Sequence, residues 1–181
     1  MIKLTTPLSN SDIESLHIGD EVLFTGTIFT ARDAAHSRLV NHIKKGEALP
    51  FNPHNAIIYY VGPTPPKPHQ ALGSAGPTSS YRMDPYAPLL MEQGIKVMIG
   101  KGDRSEMFKQ ELLKNKAVYL SAIGGTGALL SKTIKKATLI AYPELGPEGI
   151  YQLEVEDFPA IVTYDSHGGD LFITGQKQFQ R

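Results

Sequence analysis

Several stretches of this sequence set a cation beside a helix start or a small-residue loop, where an anion could be held. A helix begins around Thr30-Ala31-Arg32-Asp33, and Arg32 falls in its first turn. A cation there opposes the helix macrodipole by roughly 0.3–1 kcal/mol, and Asp33 offsets part of this. Helix-end N–H groups and a guanidinium fork could converge on one carboxylate. His36 lies one turn further on the same face. An exposed arginine with a flanking histidine on a solvated face fits the pattern as well.

The segment from Gly73 to Asp84 is the most unusual in the chain. Glycines, a proline and hydroxyl residues (Thr78, Ser79, Ser80) lead to Arg82 and a helix cap at Asp84. Small residues let backbone approach a ligand, and hydroxyls supply donors or a base. A flexible serine-rich loop that merely caps the helix is the alternative. Lys101, in Ile99-Gly100-Lys101-Gly102-Asp103, ends a strand just before a helix, where ligands of α/β sheets tend to bind. It also suits an exposed turn lysine, and no GxxxxGK[ST] loop is present. Gly124-Gly125-Thr126-Gly127 reads as a tight strand-to-helix turn or an anion-binding one. Two arginines and a lysine in such settings suggest a small anionic substrate, without naming a reaction.

The elements that must position these residues are legible in outline. Strand-like runs cover Glu21 to Phe29, Ala56 to Val61, Lys96 to Ile99, Ala117 to Ala122 and Thr138 to Tyr142. Others cover Ile150 to Glu156, Ala160 to Tyr164 and Asp170 to Thr174. One helix starts at a capping box formed by Thr30 and Asp33 and stops before Gly46. A second has Asp84 as N-cap, Pro85 at its first position and Gly94 past its end. A third opens at Asp103-Arg104-Ser105-Glu106 and carries Phe108, Leu112 and Leu113 on one side. A shorter fourth follows Gly127. The alternation predicts one α/β domain over residues 1–181, and the strand-rich close predicts a mixed sheet.

Composition removes several classes of function. Eighteen basic residues balance eighteen acidic ones, which argues against nucleic-acid and anionic-membrane partners. No apolar run reaches the ~18 residues of a membrane span, and the first residues lack a secretory apolar stretch, so a cytoplasmic protein is expected. There is no cysteine, which excludes disulfides, thiol catalysis and a thiolate-held cluster built by this chain alone. His36 and His42 are six apart and no HExxH occurs, so no metal site is expected.

Taken together, the motifs resemble the C-terminal half of class I fumarases and the β subunits of related dehydratases. They are Thr25-Gly26 with Thr30 to His36, Gly76-Pro77-Thr78-Ser79-Ser80-Tyr81-Arg82-Met83-Asp84, Met98-Ile99-Gly100-Lys101-Gly102 and Ala122-Ile123-Gly124-Gly125. The resemblance implies a three-layer β/β/α swivelling domain with a mixed sheet. It closes over a [4Fe–4S] cluster held by three cysteines of a partner α subunit, in a heterotetramer. The implied reaction is reversible hydration of a small dicarboxylate, most naturally fumarate to (S)-malate. By position, Arg32, Arg82 and Lys101 match residues that clamp the substrate carboxylates. Thr78 matches the base that takes the carbon-bound proton. His36 occupies a motif position at the substrate site, in contacting substrate or in orienting neighbours. The run Lys101 to Ser105 looks like the fumarase KGNRS with Asp103 for asparagine, while Ser79-Ser80-Tyr81 departs from the usual TAG or TSG. An L-tartrate dehydratase β subunit and a non-catalytic carboxylate-binding regulator of the same fold stay open as alternatives.

Overall fold

The computed structural model describes residues 1–123 and 127–179. In chain order the elements are β1 (Ile2–Thr5), α1 (Asn10–Glu14), β2 (Glu21–Thr30), α2 (Asp33–Lys44) and β3 (Ile57–Tyr59). A 3₁₀ turn (Ser80–Met83), α3 (Ala87–Glu92), β4 (Val97–Gly100), α4 (Glu106–Lys114) and β5 (Val118–Ala122) follow. The last are α5 (Gly127–Thr133), β6 (Ile134–Ala141), a second 3₁₀ turn (Pro143–Glu148), β7 (Ile150–Tyr164) and α6 (Leu171–Phe179).

The strands form one mixed sheet in the order β1-β2-β3-β4-β5-β7-β6, and β2 also pairs with β7. β1 through β5 run parallel to their neighbours, while β7 is antiparallel to β2, β5 and β6. The extra β2–β7 pairing folds the sheet back on itself, so β1, β2, β7 and β6 make one layer and β3, β4 and β5 a second. Side-chain alternation confirms this. Ile57, Tyr59, Val97, Ile99, Val118 and Leu120 face an inner core that also holds Phe24, Ile28, Leu153 and Phe158. Their neighbours Ile58, Tyr60, Met98 and Tyr119 face an outer core with Leu39, Leu90, Phe108 and Leu112 of α2, α3 and α4. α2, α3 and α4 are the third layer, while α1 and α5 pack into the inner core through Ile13 and Leu130, and β3, β4 and β5 are buried on both faces.

Several sequence expectations are corrected. Thr30 does not cap α2: its hydroxyl accepts the Tyr151 N–H at 3.0 Å, tying β2 to β7. Asp84 does not cap α3, which begins at Ala87; its carboxylate is taken by Arg104 and the Ser105 N–H. Asp170 to Thr174 is not a strand. Asp170 accepts from the N–H groups of Phe172 and Ile173, the hydrogen bonds of an N-cap, and α6 follows. The two runs from Ile150 to Tyr164 are one strand passing through Pro159. Leu113 is exposed, whereas Phe108 and Leu112 are buried. β1 and α1 went unread, although Ser9 and Asp12 make a reciprocal capping box. Residues 124–126 of the glycine-rich turn lie outside the described residues.

Candidate active site

The parallel strands end together, and the cationic residues follow those ends. β2 runs into Ala31, whose N–H donates to the Tyr59 carbonyl. Arg32 then takes the N-cap position of α2 in extended conformation, with Asp33 opening the helix. β3 continues through Tyr60, whose carbonyl accepts the Thr78 N–H at 2.8 Å, drawing the hydroxyl-rich loop alongside. Beyond β4, Lys101 bridges Ser79 in parallel fashion, and the Ser80 N–H donates to the Lys101 carbonyl at 3.1 Å. Three sheet ends thus deliver Arg32, Thr78 with Arg82, and Lys101 to one edge.

Within that edge, Arg82 is the connecting group. Its Nη2 donates to Thr78 Oγ1 at 2.5 Å and lies 3.4 Å from Asp33 Oδ2. Arg32 Nε stands 3.8 Å from Glu148 Oε1, an ion pair too long for a hydrogen bond. Both arginines keep a buried Nε with no hydrogen-bond partner, yet their side chains are 28% and 38% exposed. Two guanidinium groups are thus held in place and only loosely neutralised. Gly62 makes room for one of them, since a Cβ there would come within 2.9 Å of Arg32 Cδ and Nη1. Lys101 is exposed.

His36 is placed differently from the solvated-face reading. It is 1% exposed, packed edge-on to Tyr60 with ring centroids 5.3 Å apart. Its Nδ1–H donates to the Arg32 carbonyl at 2.8 Å. Burial pushes its pKa down to about 4, against the hydrogen bond to Arg32 and with help from the Arg104 charge. A neutral ring in the outer core holds the Arg32 turn from beneath.

Sequence reasoning passed over the group under the site. Arg104 has a fully buried side chain, with Nε donating to Asp84 Oδ1 at 2.5 Å. Nη1 donates to the Tyr60 hydroxyl at 3.3 Å, and Cζ lies 3.5 Å from the Phe108 ring centroid, a cation–π contact. Burial works against its charge, but the facing Tyr60 and Asp84 outweigh that, and its pKa is raised. Its signal in sequence is the Lys101 to Ser105 run, which contains it, but nothing local says that it points inward.

No group of three or more His, Asp or Glu side chains among the described residues could hold a metal ion, and the chain has no cysteine. This chain's side chains therefore do not suit an iron–sulfur cluster as its ligands. Among the described residues no helix is long and apolar enough to cross a membrane.

Comparison with known proteins is in keeping with this geometry. Residues 1–175 match the fumarase C-terminus family. A class I aerobic fumarate hydratase of Salmonella typhimurium is 38% identical, over 94% of this chain and 30% of its own length. Fumarate hydratase 2 of Leishmania major is 40% identical, over 86% of this chain and 28% of its own. A putative L(+)-tartrate dehydratase subunit beta of Methanocaldococcus jannaschii is 39% identical, over 91% of this chain and 88% of its own. The chain thus spans less than a third of these fumarate hydratases and most of that β subunit. It belongs to the fumarase C-terminus family.

Proposed function

We propose that this chain is the substrate-clamping β subunit of a [4Fe–4S] hydro-lyase that interconverts fumarate and (S)-malate, with the cluster held by an α subunit. The single observation that carries the reading is the Thr78–Arg82–Asp33 contact, set beside Arg32 and Lys101 at one sheet edge. Removing the proton beside a carboxylate builds negative charge, which preorganised cations stabilise most strongly in the transition state. Arg32, Arg82 and Lys101 are the cations for that charge. Arg82 donating to Thr78 Oγ1 favours the deprotonated hydroxyl and holds it in line, as a base at carbon requires. When bound in the partner, the cluster supplies a Lewis acid for the substrate hydroxyl. The absence of cysteine from this chain and the name of the β-subunit relative support a separate cluster-bearing partner.

Tartrate is the second reading, favoured by the relative that matches along most of its own length. The fumarase-like Lys101 to Ser105 run and the fumarate hydratase relatives favour fumarate. Co-expression with a cluster-bearing α subunit, anaerobic purification and assays on (S)-malate and on tartrate test both. Turnover of malate that needs both chains is expected. Preference for tartrate would reassign the substrate, and a complex inactive on both would leave a non-catalytic carboxylate binder.

A further inference from the structure

The Lys101 turn is held from below by two hydroxyl groups, Ser80 from the hydroxyl-rich loop and Tyr119 from β5. The Lys101 N–H donates to Ser80 Oγ at 2.8 Å. The Tyr119 hydroxyl lies 2.9 Å from both Ser80 Oγ and the Gly102 carbonyl oxygen. One turn on, the Arg104 N–H donates to the Tyr164 hydroxyl at 3.1 Å, and Tyr119 and Tyr164 are directly paired and stacked across β5 and β7. Ser80 and Tyr119 are themselves completely buried. Gly100 is required for this approach, because a Cβ there would fall 1.9 Å from Ser80 Oγ. The backbone of an exposed turn is thus pinned at Lys101 and Gly102 to the buried hydroxyls of Ser80 and of Tyr119 on β5.

We propose that Ser80 and Tyr119 are positioning residues that fix the Lys101–Gly102 turn so that the Lys101 ammonium is preset to receive a substrate carboxylate. The proposal rests on the clamp role given to Lys101 above. A lysine is a point charge on a flexible stem, so its reach and direction depend on where its backbone is anchored. Loop residues elsewhere leave that to the loop. Here a serine from the substrate loop and a tyrosine from β5 do it, which also couples Lys101 to the segment that carries Thr78 and Arg82. Burial raises the pKa of the Tyr119 hydroxyl, consistent with a neutral group that bridges rather than one that ionises.

The test uses the complex with its cluster-bearing subunit. Ser80→Ala and Tyr119→Phe are each expected to raise KM for (S)-malate about tenfold with a smaller change in kcat. In a Lys101→Ala background the same substitutions are expected to change KM less than about twofold, since the group they position is gone. Amide exchange at Lys101, followed by mass spectrometry, should quicken in both hydroxyl variants. An unchanged KM and unchanged exchange in a folded Tyr119→Phe complex overturn the proposal, as does an undiminished loss in the Lys101→Ala background. If Lys101→Ala alone leaves KM intact, the clamp reading fails while faster exchange in the variants still shows that the hydroxyls anchor the turn. Should Ser80→Ala not fold, Tyr119→Phe, which removes a single oxygen, carries the test alone.

Discussion

At the scale of single residues, the proposed chemistry turns on groups whose charge is placed but only loosely neutralised. Arg82 makes one short contact to Thr78 and one long one to Asp33. Arg82→Lys keeps the charge but replaces the planar guanidinium with an ammonium on a flexible stem. Because both contacts run through the one Nη2, what lysine lacks is the planar, pre-organised guanidinium that aims that nitrogen. The variant is expected to lower kcat/KM by about 10²-fold or more in the assembled enzyme, with the chain still folded by circular dichroism; near-normal turnover would remove Arg82 from the machinery. His36 gives a pH prediction. Its pKa of about 4 lies below the ordinary 6.5, so the unfolded chain binds a proton that the folded chain refuses. Its stabilising share is whole above pH 6.5 and is lost as pH falls toward about 4, up to about 3 kcal/mol. Thermal midpoints of the wild type should fall more steeply over that window than those of His36→Asn. Arg32, Thr78, Arg82 and Lys101 stand out in sequence because each sits in a local motif, and the structure brings their segments to one sheet edge. His36 was legible as a motif residue but not as a buried one, since facing inward depends on Tyr60, which is far along the chain.

At the scale of elements, the 3₁₀ turn after Thr78 and the start of α4 are locked together by one buried ion pair. Asp84 binds Arg104 Nε with one oxygen and the Ser105 N–H with the other. Asp84→Ala would leave a buried guanidinium uncompensated, a change that costs about 3–5 kcal/mol. Urea unfolding of the variant should show a loss of that size; a loss below about 1 kcal/mol would mean that the aromatic rings alone shield Arg104. The same pair explains why the second helix was read too early. Asp84-Pro85 has the chemistry of a helix start, but a tertiary partner competes for the carboxylate and wins, and α3 begins at Ala87. Asp170 is the converse. The stretch after it has strand composition, yet the Asp170 carboxylate finds the local N–H groups and starts a helix. Hydrophobic runs located β3 to β5 well because strands buried on both faces need them. The continuous β7 was harder, since Pro159 and the left-handed Asp157 (φ 52°) look like breaks from sequence.

At the scale of the whole molecule, the two cores have separate tasks. The outer one contains Tyr60, Met83, Phe108, Tyr119 and Tyr164, the residues that reach up to the turns bearing Lys101 and Arg82. The inner one, between the two strand layers, holds Phe24, Leu120, Leu153 and Phe158, and it meets the hydroxyl-rich loop through Tyr59, whose hydroxyl donates to the Ala75 carbonyl. Away from that contact, support for the Lys101 turn and the packing between the strand layers fall to different residues. Adjacent residues of β5 make this testable, because Leu120 and Tyr119 point to opposite faces of one strand. Leu120→Ala opens a cavity in the inner core and should cost about 2–5 kcal/mol on urea unfolding. Below its unfolding transition, its KM for (S)-malate in the complex should equal that of the wild type. Tyr119→Phe, one residue away, should instead shift KM with a smaller loss of stability. If Leu120→Ala raised KM as much as Tyr119→Phe does, the two cores would not be independent, and the precision of the site would be a property of the whole sheet.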